Sequence, residues 1–171
     1  MQESFPNHYE RAFENWLIDN QVRYISLDKH NALKLEHSGI KTFDFFLHLP
    51  NDKKVIAEVK GRKFKGVSLE NMASLECWVT TDDIDGLLKW REILGSDHQI
   101  IFVFCYKIDN IDVDFDGKDV FEFESNRYVF FGINFDDYRR FMKQRSPKWK
   151  TVTLPADKFR KCVVKLMDLF K

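Results

Sequence analysis

The sequence lacks the features that would tie it to a membrane or to an oxidising compartment. Its three cysteines, Cys77, Cys105 and Cys162, are odd in number, widely spaced and without a CxxC pair, so we expect buried, reduced thiols. The first ten residues, MQESFPNHYE, contain no apolar signal region, and no apolar run approaches the roughly 20 residues of a membrane span. We therefore expect a soluble, intracellular, cytoplasmic protein that has no membrane partner.

Net charge is also lacking, because 27 basic residues balance 27 acidic ones. Such a balance argues against a protein that simply coats a polyanion. The charges are nevertheless unevenly distributed: residues 109–137 hold nine acidic and two basic residues, whereas residues 138–171 hold eleven basic and two acidic ones. The basic part predicts a locally positive surface, with ordinary solubility as the alternative.

Repeats, low-complexity tracts and Gly/Ser linkers are absent from the 171 residues, and the 17 Phe and four Trp supply ample core material. A chain of this length is most simply one domain. We expect residues 1–171 to form a single domain, with a core over about residues 8–108 and a C-terminal elaboration over about residues 109–171.

The spacing of apolar residues predicts the order of the structural elements. Helices are predicted over residues 7–20, with Asn7 as the N-cap, and over residues 82–94, with Gly95 as the stop. Residues 64–80 favour no element. Strands are predicted at residues 22–27, 42–49, 54–61 and 99–106, the last buried on both faces. Further strands are predicted near 111–115, 119–124 and 127–133, and further helices near 135–144 and 156–170. The core order α-β-β-β-α-β indicates an α/β or α+β fold.

The hairpin of residues 42–61 carries charges inside apolar strands. With its turn centred on Asn51, residues equidistant from Asn51 face each other, so Asp44 lies opposite Glu58. Lys60 is two residues further and on the same face. Two facing carboxylates repel unless a cation neutralises them, and Mg²⁺ binds carboxylates, water and phosphate. The alternative is a cross-strand salt bridge on a solvated face. Because an ion pair on a strand face contributes only about 0–1 kcal/mol, we expect Lys60→Ala to leave the melting temperature nearly unchanged.

The acid-x-Lys pattern is not specific by itself. It occurs three times, as Asp52/Lys54, Glu58/Lys60 and Asp116/Lys118. Only Glu58 combines an apolar strand with an acidic residue across the hairpin, so context separates it from the two copies in turns. The acids at the start of the second helix, Asp82, Asp83 and Asp85, are interpreted as favourable charges at a helix N-terminus.

Charged residues outside the hairpin extend the candidate site. Glu10 borders the apolar face of the first helix, and we expect it to have a functional role. Arg62 and Lys63 directly follow the Glu58-x-Lys60 pattern and are candidate phosphate contacts. The basic aromatic segment of residues 138–150 could bind a nucleic-acid backbone, or be a solvated helix face followed by a loop. Its first basic members are Arg139, Arg140 and Lys143.

A helix Glu, a strand Asp and Glu-x-Lys on the next strand resemble the PD-(D/E)xK nuclease superfamily. Within it, the segment His8-Tyr9-Glu10-Arg11-Ala12-Phe13-Glu14 is similar to the signature of the small HYExAFE family. The later residues Trp78-Val79-Thr80, Asp82-Asp83-Ile84 and Trp90 fit the same family. The likeness spans about residues 8–108. The sequence departs from the superfamily pattern at Phe43, where Pro normally precedes the strand Asp.

The resemblance implies a restriction-endonuclease-like α/β core in α-β-β-β-α-β order, flanked by helices. It also implies hydrolysis of phosphodiester bonds that depends on Mg²⁺ or Mn²⁺, with DNA as the expected substrate and RNA as the second choice. Asp44, Glu58 and Glu10 would ligate the metal, and Lys60 would position water or stabilise the transition state. One alternative is a non-catalytic nucleic-acid- or protein-binding module on the same fold, and another is a structural protein. Both a homodimer and a monomer are compatible with the resemblance.

Overall fold

The computed structural model describes residues 7–27, 39 and 41–170. The first part of the chain forms α1 (His8–Asp19), β1 (Arg23–Ser26), β2 (Phe45–His48), β3 (Lys54–Phe64), β4 (Val79–Thr80), α2 (Thr81–Leu94) and β5 (Gln99–Ile108). The second part forms β6 (Phe121–Phe123), β7 (Asn126–Asn134), α3 (Phe135–Phe141), β8 (Lys143–Ser146), β9 (Thr151–Thr153), α4 (Ala156–Cys162) and α5 (Leu166–Leu169). The predicted core order is confirmed, with the two-residue β4 inserted before α2.

A six-stranded mixed sheet forms the centre of the structure, in the order β1-β2-β3-β5-β7-β6. Its central strands β3 and β5 are parallel, and the other neighbours are antiparallel. The chain crosses from β3 to β5 through α2, as a parallel pair requires. The side chains of Ile100 to Tyr106 in β5 are all buried, so the prediction of a strand covered on both faces is confirmed.

Helices cover both faces of this sheet. One face packs on α1 and α5, through buried residues that include Ala12, Phe13, Leu17, Val55, Ala57, Val59 and Leu166. The opposite face packs on α2, α3 and α4, through buried residues that include Ile56, Phe64, Ile84, Leu87, Phe102, Tyr138 and Phe159. Consequently Glu58 and Lys60 of β3 are also covered, and they do not form a solvated strand face.

The predicted register of the β2–β3 hairpin is confirmed. Phe45 lies opposite Ala57, and His48 lies opposite Lys54, so residues equidistant from Asn51 are partners. A short 3-10 turn of Pro50–Asp52 connects the strands, and Asn51 has a φ of 64° within it. Asn tolerates this left-handed conformation better than most residues, and the turn thereby sets the pairing.

A second sheet, in the order β4-β9-β8, was not predicted. The predicted helix over 135–144 is wrong at its end, because α3 stops at Phe141 and the chain continues as β8. Lys143 and Gln144 pair there with Thr153 and Val152 of β9. Pairing between strands thus overrides the local helical preference of this basic segment.

Two further predictions at the C-terminal end are corrected by long-range contacts. Residues 111–115 contain no strand, only an isolated bridge between Ser68 and Asp114. The predicted helix over 156–170 is interrupted, because Val164 and Gly132 exchange two backbone hydrogen bonds of 2.9 and 3.1 Å. A Cβ atom on Gly132 would lie 2.4 Å from Leu169 Cδ1, so glycine permits this close approach.

The cysteines agree with their prediction, since all three are buried and free. In the described part of the chain, no helix combines the length and the apolar character needed to cross a bilayer.

Candidate active site

Asp44 and Glu58 approach each other where the β2–β3 hairpin meets the centre of the sheet. Asp44 directly precedes β2, and its Oδ2 accepts a hydrogen bond of 2.7 Å from the backbone N–H of Val59. Glu58 is at the middle of β3, where only 6% of its surface is exposed. Because β2 and β5 flank β3 on both sides, Glu58 is held on a rigid element inside the sheet.

Lys60 bridges two carboxylates. Its Nζ is 3.2 Å from Oε1 of Glu58 and 2.9 Å from Oδ2 of Asp83. Only 16% of the Lys60 side chain is exposed, and the Asp83 side chain is almost completely buried. The alternative of a cross-strand salt bridge on a solvated face is therefore not what forms, because Lys60 pairs with Glu58 of its own strand and with Asp83 of α2, in a buried setting.

Asp83 is a member of this cluster that the sequence interpretation missed. It does cap its helix, since its side chain accepts from the N–H of Thr80 while the Thr80 hydroxyl accepts from the N–H of Asp83. Its other contacts are with Lys60 and with Lys41, which forms an ion pair with Oδ1. No pattern in the sequence distinguishes Asp83 from the other acids at the start of α2 as a partner of Lys60, and the contact forms because the chain crosses from β3 to β5 through α2.

The carboxylates of the cluster have shifted pKa values of opposite sign. Burial raises the pKa of Asp44 well above its usual value, and repulsion by Glu58 and Glu10 adds to this increase. Burial likewise raises the pKa of Glu58, and Lys60 offsets only part of it. For Asp83, burial is outweighed by Lys60 and Lys41, and its pKa falls to about 2. Asp83 is thus matched with cations, whereas for Asp44 and Glu58 the effect of burial exceeds the attraction of the nearby lysines.

We expect Asp83→Asn to destabilise the protein by about 2 kcal/mol at neutral pH. The pKa of Asp83 is lowered from 3.8 to about 2, so its contribution to stability is present above about pH 4 and is lost as the pH falls to about 2. Thermal denaturation of wild type and variant between neutral and acid pH measures this difference, which should shrink on acidification. Asp82→Asn, on the same helical turn but exposed, is the control, and equal effects of both substitutions would contradict the prediction.

Glu10 lies beside the two carboxylates at the start of α1. Asn7 caps this helix, since its side chain accepts from the N–H of Glu10 and donates to Oε1 of Glu10 at 2.9 Å. An open cavity of about 420 Å³ separates the helix start from β3. It is lined by Asn7, His8, Tyr9, Glu10, Asp44, Glu58, Val59, Lys60, Gly61 and Arg62. The structure thus brings together the four residues predicted to be catalytic, Glu10, Asp44, Glu58 and Lys60.

The chemistry of these residues fits a hard divalent cation. Oε2 of Glu58 is buried and has no hydrogen-bond partner among the described residues. Such an atom is costly unless something binds it. Burial also raises the pKa values of Asp44 and Glu58, so a cation between them would favour their charged forms. Within the described residues, no group of three or more His, Cys, Asp or Glu side chains is placed to hold a metal ion by itself. Mg²⁺ is typically held by one or two carboxylates together with waters and phosphates, so this pair is sufficient.

Arg62 lines the cavity, and its guanidinium group is engaged by backbone carbonyls and by an aromatic ring. Its guanidinium donates to the backbone carbonyls of Gly61 and Trp78 and lies 3.9 Å from the centre of the Trp78 ring. Lys63, on the opposite face of β3, forms an exposed ion pair of 2.9 Å with Asp109. The contacts of Arg62 and Lys63 with phosphate stay predictions.

The predicted basic contacts of the C-terminal segment lie at the surface. Arg139 and Arg140 are exposed on α3, and Lys143 is exposed at the start of β8. Arg139 is 4.0 Å from Asp136, which also pairs with Arg91 of α2. The structure does not bring these residues into the cavity lining, so they form a separate basic surface.

No family model matches this chain, and no curated protein matches it. Solved structures do resemble it, among them that of Archaeoglobus fulgidus Hjc, a Holliday junction resolvase from an archaeal hyperthermophile. The TM-score is 0.52 at 10% sequence identity, over 94% of this chain and 91% of that chain. The fold is restriction-endonuclease-like.

This result confirms the predicted fold, namely a mixed sheet flanked by helices with C-terminal additions. The resemblance to the PD-(D/E)xK superfamily and the finer resemblance to the HYExAFE family both stay predictions. At such low identity the likeness concerns the fold, and the chemistry has to be argued from the residues themselves.

Proposed function

We propose that this chain is a metal-dependent nuclease that hydrolyses phosphodiester bonds, in DNA rather than RNA, at a PD-(D/E)xK-type site. The observation that supports it best is the pair Asp44 and Glu58 beside Lys60, with Oε2 of Glu58 buried and without a partner among the described residues. Burial and nearby negative charge oppose the ionisation of both acids. Charged acids in such a place destabilise the fold unless a ligand neutralises them. The proposal extends to the whole chain as a single, cytoplasmic domain of the HYExAFE type, either monomeric or homodimeric.

Each residue of the cluster has a separate task in this proposal. Asp44 and Glu58 would hold Mg²⁺ or Mn²⁺, and Glu10 would complete the site from α1. When bound, the ion lowers the pKa of a coordinated water and neutralises charge on the phosphate. The main chain of Val59 orients Asp44 through its N–H, and β3 keeps Glu58 in place. This positioning by rigid elements reduces the reorganisation that the reaction would otherwise require.

Lys60 would orient the attacking water or stabilise charge on the phosphate. An ammonium group has three donors, and Glu58 and Asp83 each engage one of them. The third donor can point to a water or to a phosphate oxygen. Burial lowers the pKa of Lys60, but the attraction of Glu58 and Asp83 outweighs this effect and raises the pKa. Lys60 therefore stays charged at neutral pH. It is therefore suited to electrostatic stabilisation and not to proton abstraction.

The nucleic-acid contacts that we propose for Arg62, Lys63, Arg139, Arg140 and Lys143 are electrostatic. Arg62 is the member nearest to the carboxylates, since it lines the same cavity. Contacts of this kind make affinity fall with increasing salt concentration.

A non-catalytic binding module on the same fold is the second candidate. The observation that favours it is the close engagement of Lys60 by Asp83, at 2.9 Å, and the further ion pair of Asp83 with Lys41. An ammonium neutralised in this way is a weaker electrostatic catalyst. Such a module would still bind nucleic acid, but without cleavage.

Cleavage assays distinguish the two candidates. We expect the wild type to cut at least one member of a panel of single-stranded, duplex and branched DNA and RNA in the presence of Mg²⁺ or Mn²⁺, and not in EDTA. Glu58→Gln keeps the shape of the side chain but removes its charge, and should abolish cutting. Asp116→Asn, in an acid-x-Lys pattern on an exposed turn, is the matched control and should cut normally. Binding of nucleic acid by the wild type, without cutting, would favour the binding module.

A further inference from the structure

The turn between β8 and β9 presents a tryptophan to solvent. Trp149 is 68% exposed, whereas the other aromatic residues of the described chain are more deeply packed. Its backbone N–H donates to Oγ of Ser146 at 3.3 Å, and the next residue, Lys150, has a φ of 49°. We refer to residues 145–150 as the hairpin tip. An ordered turn thus holds a large aromatic side chain away from the core.

The segment of the sequence that carries Trp149 is positively charged. Residues 138–156 contain six basic residues and no acidic residue. Nζ of Lys148 lies 5.2 Å from the centre of the Trp149 ring, and Arg145 and Lys150 are also exposed at the hairpin tip. A ring with cations around it is complementary to a ligand that has both a flat face and a negative backbone.

Two contacts connect the hairpin tip with the candidate active site. The backbone N–H of Thr81, the first residue of α2, donates to the carbonyl of Lys150 at 2.8 Å. Two residues further along α2, Asp83 contacts Lys60. In addition, the guanidinium of Arg145 lies 5.2 Å from the Trp78 ring, on which Arg62 of the cavity lining also stacks. The hairpin tip is therefore attached to the same elements that position the catalytic lysine.

We propose that Trp149 stacks on an unpaired nucleobase, and that the substrate class is nucleic acid with a single-stranded segment next to the cleaved phosphodiester. This inference rests on the proposed function for the position of cleavage, but the stacking itself can be tested without cleavage. An unpaired base exposes both of its faces, whereas a base inside a duplex is already stacked on its neighbours. Stacking on aromatic side chains with a basic groove along the backbone is how proteins hold single strands without sequence preference.

Charge decides between this ligand and a protein partner. A protein surface that covered Trp149 would have to neutralise Arg145, Lys148 and Lys150 as well, and the chain supplies no acidic residue within this segment. A nucleic acid provides the flat ring and the negative charges in one repeating unit.

Binding of labelled oligothymidylate of about 15 nucleotides tests the inference, measured by fluorescence anisotropy in EDTA so that no cleavage occurs. We expect the wild type to bind this single strand more tightly than a blunt duplex of equal length. Trp149→Ala should weaken single-strand binding about 5- to 150-fold, since one stacked base contributes about 1–3 kcal/mol. Trp149→Phe, which keeps an aromatic face, should bind nearly as the wild type does. The melting temperature should not change in either variant, because Trp149 is exposed.

Salt dependence separates stacking from charge. Trp149→Ala should leave the slope of log affinity against log salt unchanged, whereas Lys148→Gln with Lys150→Gln should flatten it. Equal affinity of wild type and Trp149→Ala for the single strand would overturn the inference. So would a Trp149→Ala substitution that weakens binding to the blunt duplex as much as binding to the single strand. Either result would indicate another occupant, such as a protein. These outcomes do not depend on whether Glu58 supports cleavage, so failure of the stacking and failure of the nuclease proposal are distinguishable.

Discussion

Asp44→Asn is expected to raise the melting temperature of the metal-free protein while it removes binding of Mn²⁺. Burial opposes the ionisation of both Asp44 and Glu58 and raises both pKa values, and repulsion by Glu58 raises the pKa of Asp44 further. Removal of one charge from such a pair should stabilise the fold by about 1–2 kcal/mol, or by about 2–8 °C. The Asn oxygen can still accept the N–H of Val59. A residue whose replacement stabilises the protein at the expense of ligand binding is typical of a functional site.

Calorimetric titration with Mn²⁺ measures the second part of this prediction. We expect the affinity to fall at least about 100-fold, because loss of even an outer partner of a metal ligand costs about 10- to 100-fold. Asp52→Asn is the control, since Asp52 is in the turn of the same hairpin and its side chain is 97% exposed. Equal Mn²⁺ affinity in wild type and Asp44→Asn would exclude Asp44 as a ligand, and a lower melting temperature of the variant would contradict the electrostatic argument.

Lys60→Ala is expected to lose both cleavage and stability. Its ammonium group neutralises the carboxylates of Glu58 and Asp83 in a buried setting. The small contribution of an exposed ion pair to stability, which was expected from the sequence, therefore does not apply. We expect a destabilisation of about 3 kcal/mol, at the lower limit for a broken buried pair, because Lys41 still pairs with Asp83. This corresponds to a decrease of about 6–12 °C in melting temperature.

The catalytic effect of Lys60→Ala should amount to a decrease of about 100- to 1000-fold in kcat, the range for removal of one group that stabilises transition-state charge. Assays must be run below the melting temperature of the variant, with folding verified by circular dichroism. Lys118→Ala removes a lysine from the exposed Asp116/Lys118 pair and should leave rate and stability unchanged. Normal cleavage by a folded Lys60→Ala protein would show that Lys60 has only a structural role.

Local patterns were sufficient for the hairpin that carries the candidate site. The alternation of Phe45, Leu47, Val55 and Ala57 defines one apolar face, and the turn at Asn51 defines the pairing. Together they place Asp44 opposite Glu58 without knowledge of any other element. Short-range periodicity contains this information because hairpin strands are neighbours in sequence as well as in space.

The burial of the same charges was not predictable in this way. Alternation shows which side chains share a face, but it does not show what covers that face. In this protein α2 covers it and contributes Asp83, which is 23 residues beyond Lys60 in the sequence. An acidic residue at the start of a helix that follows a strand with a lysine is not distinctive in a sequence. Only the crossover from β3 to β5 brings Asp83 and Lys60 into contact.

The sequence by itself determined the order of the core elements, the register of the β2–β3 hairpin and the placement of Asp44 opposite Glu58. All of these depend on patterns of two to four residues or on a single turn. Only the tertiary structure decided that residues 143–146 form a strand, that Val164 interrupts the last helix, and that Lys60 is shared between Glu58 and Asp83. The physical reason is that strand pairing and ion pairing between distant segments are set by how the layers pack, and their energy exceeds the small local preferences that a sequence pattern records.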